Sequence, residues 1–290
     1  MKKIAITNFF IHLFLVLCCL LCIVPLLLVL SISFTPEILI AENGYQLIPK
    51  RFSLDAYRFI ISGTYSLWNS YAVSIFVTVV GTFLSLAVTS MLAYPLSRRD
   101  VKYRNGVSFY LFFTMLFNGG LVANYILMTQ YLHLKDNIFV LILPMMINAW
   151  NVLLMRNFFK DIPFSVIESA KMDGAGEFRV FLSIIVPMST PTFATVGMFI
   201  ALAYWNDWWL ALMYITDRKI QPLQYTLQAI LLNIQVLLSD VQLQKSMDGE
   251  IPSEAARMAL CVLAVGPIIL VYPFIQKYIV KGMTVGAVKG

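Results

Sequence analysis

The chain has 290 residues, of which 60% are apolar and only 12% are charged. Soluble globular domains carry roughly 25% charged residues, so this composition excludes an ordinary soluble protein. The net charge of +6 comes from Lys and Arg in short segments between apolar runs. Such a distribution is typical of membrane proteins, and it argues against nucleic acid as a partner.

Several apolar runs reach the roughly 20 residues that a helix needs to cross the hydrocarbon core of a bilayer. Because irregular backbone cannot face lipid, we expect each run to be helical through the bilayer. The predicted fold class is an all-α polytopic membrane protein with six transmembrane helices, forming a single transmembrane domain over residues 1–290. The predicted spans are approximately residues 9–34, 67–97, 107–128, 137–155, 187–215 and 258–275.

The first run, from Phe9 to Phe34, follows two lysines as a secretory signal would. It is far longer than the roughly 7–15 apolar residues of such a signal, and no small-residue cleavage site follows, so we expect it to remain as the first span. With the N-terminus inside, most Lys and Arg fall in the predicted cytoplasmic segments. This bias and the even number of spans predict a multi-pass protein of the bacterial cell membrane with both termini in the cytoplasm.

Two further features lie along the runs. Gly119 and Gly120 stand in the middle of the third run, which predicts either close helix approach or a local break. The outer segment that follows the fifth run has apolar residues at helical spacing between Gln221 and Gln244. That spacing predicts an amphipathic or re-entrant helix.

The segment between the fourth and fifth runs, residues 156–186, is predicted to be a cytoplasmic loop that contains a short helix. Pro163 suits a first helical turn, and Ser165 stands three residues before Glu168, the spacing of a capping box. Gly174 would supply the positive φ that ends such a helix. A helix of about eight residues is marginal alone, so we expect it to rest on a protein partner. The alternative is an interfacial helix resting on lipid headgroups.

Asp207 is the only carboxylate inside the six predicted spans. A charge at that depth is costly and usually faces a cavity or a partner. Aromatic faces stack on sugar rings and polar groups bond hydroxyls, so the surrounding cluster predicts a pathway for an oxygen-rich solute. The alternative is an aromatic belt with Asp207 capping or bonding a neighbouring helix. The candidate pathway residues are Tyr204, Trp205, Asn206, Asp207, Trp208 and Asn118.

The sequence contains no G-x-x-x-x-G-K-[ST] phosphate loop, so the chain itself is not expected to hydrolyse ATP. No cluster of metal ligands and no paired catalytic carboxylates stand out, and we expect no metal, no cofactor and no enzymatic active site. A membrane-embedded glycan-processing enzyme and an ion-coupled secondary transporter are the alternatives. A single intramembrane carboxylate and the lack of an internal repeat argue against the latter.

The predicted loop also carries a recognisable motif. Glu168-Ser169-Ala170, followed by Asp173-Gly174-Ala175 and Ile185-Val186-Pro187, resembles the "EAA" signature of binding-protein-dependent ABC importer permeases, with Ser169 where the family usually has Ala. Other matching segments cover nearly the whole chain, and together they resemble the carbohydrate-uptake (MalG-like) branch and its LplC/YtcP-like permeases. These segments are Phe117-Asn118-Gly119-Gly120, Arg156-Asn157-Phe158-Phe159, Trp205-Asn206-Asp207-Trp208, Pro222-Leu223-Gln224 and the tail 280–290.

The resemblance implies a MetI-like fold and a permease that translocates a sugar, an oligosaccharide derived from a complex polysaccharide. ATP would be bound and hydrolysed by separate subunits. The implied partners are a second homologous permease, two copies of an ABC ATPase subunit, an extracellular solute-binding lipoprotein or periplasmic protein, and the lipid bilayer. The loop helix would dock in a groove of the ATPase. The residues implied in this coupling are Glu168, Ser169, Ala170, Asp173, Gly174 and Ala175.

Overall fold

The computed structural model describes residues 2–62, 66–239 and 253–287, and within these ranges the regular structure is entirely helical. The chain divides into two compact units. The first comprises the residues up to Leu67 together with Thr226–Ile269, and the second comprises Trp68–Tyr225 together with the residues from Leu270 onward. The prediction of a single transmembrane domain stays a prediction.

The first unit begins with a long apolar helix and two short ones. Helix α1 is Lys2–Ser33, α2 is Glu37–Asn43 and α3 is Asp55–Ser62. Apolar side chains on every side of α1 are exposed, among them Phe9, Phe14 and Leu21. A helix that is apolar all round is expected to be covered by lipid or by another protein. The segment after α1 folds back on itself and brings the Phe34 and Phe52 rings into a stacked contact, with their centroids 4.8 Å apart.

The last helix, α14, runs over Ser253–Ala287 and contains the sixth predicted span. Its N-terminus is capped within the first unit by the carboxylate of Glu37. Glu37 accepts hydrogen bonds from the Ser253 hydroxyl at 2.8 Å and from the backbone N–H groups of Glu254 and Ala255 at 3.0 and 3.1 Å. Such capping satisfies donors that have no partner inside a helix.

The helix predicted between Gln221 and Gln244, as an amphipathic or re-entrant element, is present as α13, Leu223–Ser239. Residues 240–244 lie outside the described residues. Leu227, Ile230 and Ile234 are buried at helical spacing along this helix, which is why the apolar periodicity identified it.

The second unit consists of helices joined by short 3-10 and π-helical turns. Its helices are α4 (Leu67–Ser97, beginning at the boundary between the units), α5 (Arg104–Leu116), α6 (Gly120–Ile126, continued as a π-helical turn over Leu127–Tyr131), 3-10 turns at Ile138–Leu141 and Leu143–Met145, α7 (Ala149–Lys160), α8 (Phe164–Met172), α9 (Glu177–Val180, continued as a π-helical turn over Phe181–Ile185), α10 (Val186–Met188), α11 (Thr190–Asn206), α12 (Trp209–Tyr214) and a 3-10 turn at Arg218–Ile220.

The third, fourth and fifth apolar runs, each predicted to be helical through the bilayer, contain helices that are interrupted by sharp bends. Among the described residues, Asn8–Ser33 and Leu67–Ser97 are long and apolar enough to cross a membrane alone. Three further stretches qualify only as helix pairs bent by 109°, 50° and 83°, so the described residues contain two candidate spans, or up to five if each bent pair is one span.

The first of these bends confirms the local break predicted at Gly119-Gly120. Gly120 has φ +84, a conformation that favours glycine. A Cβ added at Gly119 or Gly120 would not clash with another helix, so the described residues show no close helix approach at this pair. The Asn118 amide oxygen accepts the Gly120 N–H at 2.9 Å. Glycine freedom and a local side-chain bond therefore turn the chain by 109° between α5 and α6.

The other two bends follow from proline and local capping. In the fourth run, Pro144 lies within the 3-10 turn Leu143–Met145, ahead of the 50° bend into α7. In the fifth run, Ser189 interrupts the helix and α11 begins at Thr190. Pro191 lies in its first turn, where proline is tolerated because an N–H there would have no partner within the helix. A second interruption follows at Asp207, between α11 and α12.

Irregular backbone at membrane depth is tolerated where protein buries it. The second half of the 3-10 turn Ile138–Leu141 meets this condition, since Val140 and Leu141 are at most 2% exposed, whereas Phe139 is exposed. The neighbouring Ile142 carbonyl accepts a hydrogen bond from the Tyr204 hydroxyl at 2.9 Å. The irregular segment of the fourth run is therefore a central part of the apolar core of this unit.

Helices α4 and α11 pack through two reciprocal notches. A Cβ built on Gly81 of α4 would lie 2.7 Å from Cζ of Tyr204, and one built on Gly197 of α11 would lie 3.0 Å from Cδ1 of Leu86. The Tyr204 hydroxyl also lies 2.9 Å from the Ser85 hydroxyl. Each helix therefore offers a glycine where the other places a large side chain.

The carboxylate of Asp136 joins two loops. One loop follows the π-helical turn Leu127–Tyr131, and the other follows α12. Asp136 accepts hydrogen bonds from the Thr216 hydroxyl at 2.6 Å and from the Asp217 N–H at 2.9 Å, and also from the Thr216 N–H. The bond from the Thr216 hydroxyl and those from the two N–H groups hold the pKa of Asp136 below its usual value.

Candidate functional site

The short helix predicted in the loop 156–186 is present as α8, but it begins in a different way. The capping-box prediction is wrong, because Pro163 occupies the N-terminal cap and no side chain caps the helix there. Ser165 is already the second helical residue, whereas a capping side chain must come from the non-helical residue before the first turn. The Ser165 carbonyl instead accepts the Ser169 hydroxyl at 2.9 Å.

The end of α8 confirms the role predicted for Gly174, which has φ +80. Its N–H donates to the Lys171 carbonyl, and the Ala175 N–H donates to the Ala170 carbonyl, both at 2.9 Å. These two bonds form a Schellman motif, in which a residue in the left-handed region satisfies the last carbonyls of a helix. The sequence Asp173-Gly174-Ala175 therefore ends α8 abruptly and fixes the direction of the chain after it.

Helix α8 has one face that packs on the core and one face that is exposed. Ile167 is buried, and Ala170 and Ala175 pack against the apolar core. Glu168, Ser169, Asp173 and Gly174 are exposed. The six predicted coupling residues are thus brought together on one helix and its terminal turn.

The exposed face of α8 also carries a large apolar side chain. Met172 is 89% exposed, although the residue next to it, Lys171, forms an ion pair. Met is flexible and polarizable and suits contact with a partner surface. The exposed face of α8 therefore combines a carboxylate, a hydroxyl and a thioether within two turns.

A charged cluster joins the α8 loop to the end of α4, and sequence reasoning missed it. Arg98, one residue beyond α4, is only 4% exposed. Its Nη1 donates to Glu177 Oε2 at 2.6 Å, and its Nε donates to Asp100 Oδ1 at 2.9 Å. Lys171 Nζ completes the cluster at 2.6 Å from Glu177 Oε1.

The ionisation of this cluster follows from its bonds. Burial alone would lower the pKa of Arg98, but its hydrogen bonds with Asp100 and Tyr94 raise it overall. The hydrogen bond from Arg98 holds the pKa of Asp100 below its usual range. Partial burial would raise the pKa of Glu177, but hydrogen bonds from Lys171 and Tyr94 lower it overall. Arg98, Asp100 and Glu177 are therefore charged near neutral pH.

The signal that could have revealed the cluster is present in the sequence, although it is weak. Arg98 directly follows a long apolar helix, where a buried guanidinium requires a carboxylate partner. Asp100, two residues later, and Glu177, in the loop, are the carboxylates that it uses. Choosing Glu177 requires knowledge that the loop folds back onto α4, which spacing alone does not supply.

The predicted pathway residues are placed in two different environments. Tyr204 and Trp205 are buried, at 4% and 7% exposure. Asn206 and Trp208 are exposed. Their neighbour Asp207 accepts the Leu210 N–H at 3.3 Å, which is the helix-capping contact named above as the alternative to a solute contact.

Asn118 lies apart from this group in the sequence, at the break between α5 and α6. It is exposed, and its amide oxygen is engaged by Gly120 of its own turn. The described structure records no hydrogen bond between Asn118 and the residues 204–208. A role of these residues in a solute pathway stays a prediction.

The sequence matches the family model "Binding-protein-dependent transport system inner membrane component" over residues 85–285. It is 40% identical over 277 residues to the polygalacturonan/rhamnogalacturonan transport system permease protein YtcP of Bacillus subtilis (strain 168), covering 96% of each chain. It is 42% identical over 271 residues to protein LplC of the same organism, covering 92% of this chain and 90% of LplC.

A solved structure extends the similarity to the fold. A chain in the crystal structure of a bacterial ABC transporter involved in the import of the acidic polysaccharide alginate matches with a TM-score of 0.80 and 28% identity, covering 96% of this chain and 98% of that chain. These similarities confirm the predicted all-α polytopic fold class and set aside the alternative of an enzyme. The chain therefore belongs to the family of binding-protein-dependent transport system inner membrane components, as a non-catalytic permease subunit of an ABC importer.

Proposed function

We propose that this chain is one of two related permease subunits that import an oligosaccharide derived from a complex polysaccharide. Its similarity to YtcP, a polygalacturonan/rhamnogalacturonan transport permease, and to a chain of a transporter involved in alginate import supports this substrate class. The solute would be delivered by an extracellular binding protein. Both termini of the permease would lie in the cytoplasm, where two ATPase subunits bind the ATP.

The observation that carries the proposal is the exposed face of α8. A helix of nine residues is too short to be stable without packing, and the apolar core holds only its Ile167 side. Its other side presents Glu168 and Ser169 outward, and the turn at Gly174 follows immediately. This arrangement suits insertion into a groove of the ATPase, as predicted for the six coupling residues.

The proposed solute pathway passes the polar break between α11 and α12. Asn206 and Trp208 would offer an amide and an indole face to sugar hydroxyls and ring C–H groups, with Asp207 and Asn118 as further polar contacts. Tyr204 and Trp205 are buried, so their part would be to hold the helix that carries the others.

Docking is tested with purified complexes of this chain, its partner permease and the ATPase. Glu168→Arg is expected to release the ATPase during co-purification and to abolish ATP-driven oligosaccharide uptake in proteoliposomes. Asp161→Asn is the matched control, because Asp161 is an exposed carboxylate of the same loop. Retention of the ATPase and full uptake by Glu168→Arg would refute docking through α8.

The substrate class is tested separately with the cognate binding protein. Fragments of pectic and alginate polysaccharides are titrated by calorimetry, and the retained fragment is then supplied to proteoliposomes. Uptake should require ATP. Uptake that persists without ATP and follows an imposed ion gradient would support a secondary transporter instead.

A further inference from the structure

We propose that the charged cluster of Arg98, Asp100, Lys171 and Glu177 is a positioning element that transmits movement of α8 to α4. The inference rests on the proposed function, since it presumes that an ATPase moves α8. It adds a specific route by which such movement reaches a membrane-spanning helix. The geometry of the guanidinium of Arg98 carries it.

Arg98 contacts α4, the start of α8 and the segment after α8. Its Nη1 donates to the Tyr94 hydroxyl of α4 at 2.9 Å and to Glu177 at the start of α9 at 2.6 Å. Its guanidinium carbon lies 5.9 Å from the centroid of the Phe164 ring at the start of α8. One side chain that is 4% exposed therefore links these elements.

The other charges hold the same elements together at a second point. Lys171 lies in the last turn of α8, and its Nζ is 2.6 Å from Glu177 and 3.9 Å from Asp100. The chain between Lys171 and Glu177 contains the Schellman turn at Gly174. The Lys171–Glu177 ion pair thus spans this turn, so that a change in the angle between α8 and α9 would strain or break a charge-assisted bond.

Burial makes Arg98 the central member. A buried guanidinium is unfavourable unless carboxylates pair with it, so loss of Glu177 leaves part of that charge uncompensated. Lys171 is 37% exposed and Glu177 is 57% exposed, so water screens their pair and it is the weaker link. The structure therefore ranks the effects, with Glu177 above Lys171.

Loss of the cluster should separate docking from transport. The docking residue Glu168 is exposed, whereas its neighbour Ile167 is buried, and Glu168 forms none of the hydrogen bonds and ion pairs described above for the cluster. With Glu177→Gln, the ATPase should still bind and hydrolyse ATP. Without these bonds the loop would move independently of α4, and ATP would be hydrolysed without transport of the solute.

The test measures three quantities on the reconstituted full complex: co-purified ATPase, ATP hydrolysis, and solute taken up per ATP hydrolysed. Glu177→Gln is expected to keep the first two and to lower uptake per ATP about fivefold or more. Glu177→Asp keeps the charge and should restore most of the coupling. Lys171→Gln should lower uptake per ATP to a smaller extent.

Matched controls remove a charge from the same loop outside the cluster. Asp161→Asn and Arg179→Gln affect exposed side chains and should leave uptake per ATP at the wild-type value. If Glu177→Gln fails to insert into the membrane, uptake per ATP by Lys171→Gln tests the inference instead. Lys171 is partly exposed, so its replacement should disturb folding less.

Two results would overturn the inference. The first is wild-type uptake per ATP in both Glu177→Gln and Lys171→Gln. The second is loss of the ATPase from Glu177→Gln complexes, which would make the cluster part of docking. Failure of the proposed function has a different signature, because the unmodified chain would then not co-purify with an ATPase at all.

Discussion

Replacing Gly174 by alanine tests whether backbone conformation at the end of α8 is needed for its function. The residue has φ +80, and a Cβ added there meets no atom within 4 Å, so only backbone strain opposes the change. An alanine in the left-handed region costs about 1–2 kcal/mol. That cost reduces the population of the intact Schellman turn by a factor of about 5–30.

The turn can be observed through the N–H of Ala175, which is bonded to the Ala170 carbonyl at 2.9 Å. In Gly174→Ala, hydrogen exchange of this amide in nanodiscs should accelerate by about 5–30-fold, in proportion to the lost population. Gly174→Asn should show a smaller change, because asparagine tolerates the left-handed region better.

The matched control is Gly176→Ala. Gly176 has φ −70, an ordinary value for alanine, and a Cβ there also meets no atom within 4 Å. Equal exchange rates in Gly174→Ala and Gly176→Ala would refute the reasoning. ATPase co-purification should follow the same order, with Gly174→Ala the weakest of the three variants.

Three further predictions concern other parts of the second unit. Tyr204→Phe should lower the free energy of unfolding in mixed micelles by about 1–3 kcal/mol, because the buried Ile142 carbonyl loses its donor; an unchanged denaturation midpoint would contradict this. Asp136→Asn should accelerate hydrogen exchange of the Thr216 N–H, because this group donates a hydrogen bond to the Asp136 carboxylate in the wild type, while exchange in α8 should not change. The pKa of Glu177 is lowered in the folded state, so its stabilisation is complete above the ordinary carboxyl pKa and is lost as pH falls through the lowered value. The stability difference between wild type and Glu177→Gln should therefore be constant from about pH 5 to about pH 8 and shrink below about pH 4; a loss near pH 6 would contradict the assignment.

The features that could be predicted from the sequence depend on local backbone chemistry. Gly174 ends α8 because a left-handed residue is needed there, and the pair Gly119-Gly120 breaks the third run for a similar reason. The helix after Gln221 follows from apolar spacing alone. In each case neighbouring residues are sufficient to determine the outcome.

The features that could not be predicted depend on distant contacts or on small shifts of register. The capping box failed because α8 begins one residue before Ser165, and helix boundaries are uncertain by one or two residues. The pair formed by Arg98 and Glu177 joins residues 79 positions apart. The burial of Tyr204 depends on the space that Gly81 leaves on a different helix.

The reciprocal notches of α4 and α11 have a consequence for how relatives of this chain diverge. Since the Tyr204 ring fills the space above Gly81, a bulkier residue at 81 is tolerable only with a smaller one at 204. The same holds for Gly197 and Leu86. These two pairs should therefore change together among homologous permeases, so that each substitution is compensated by one in the opposite helix.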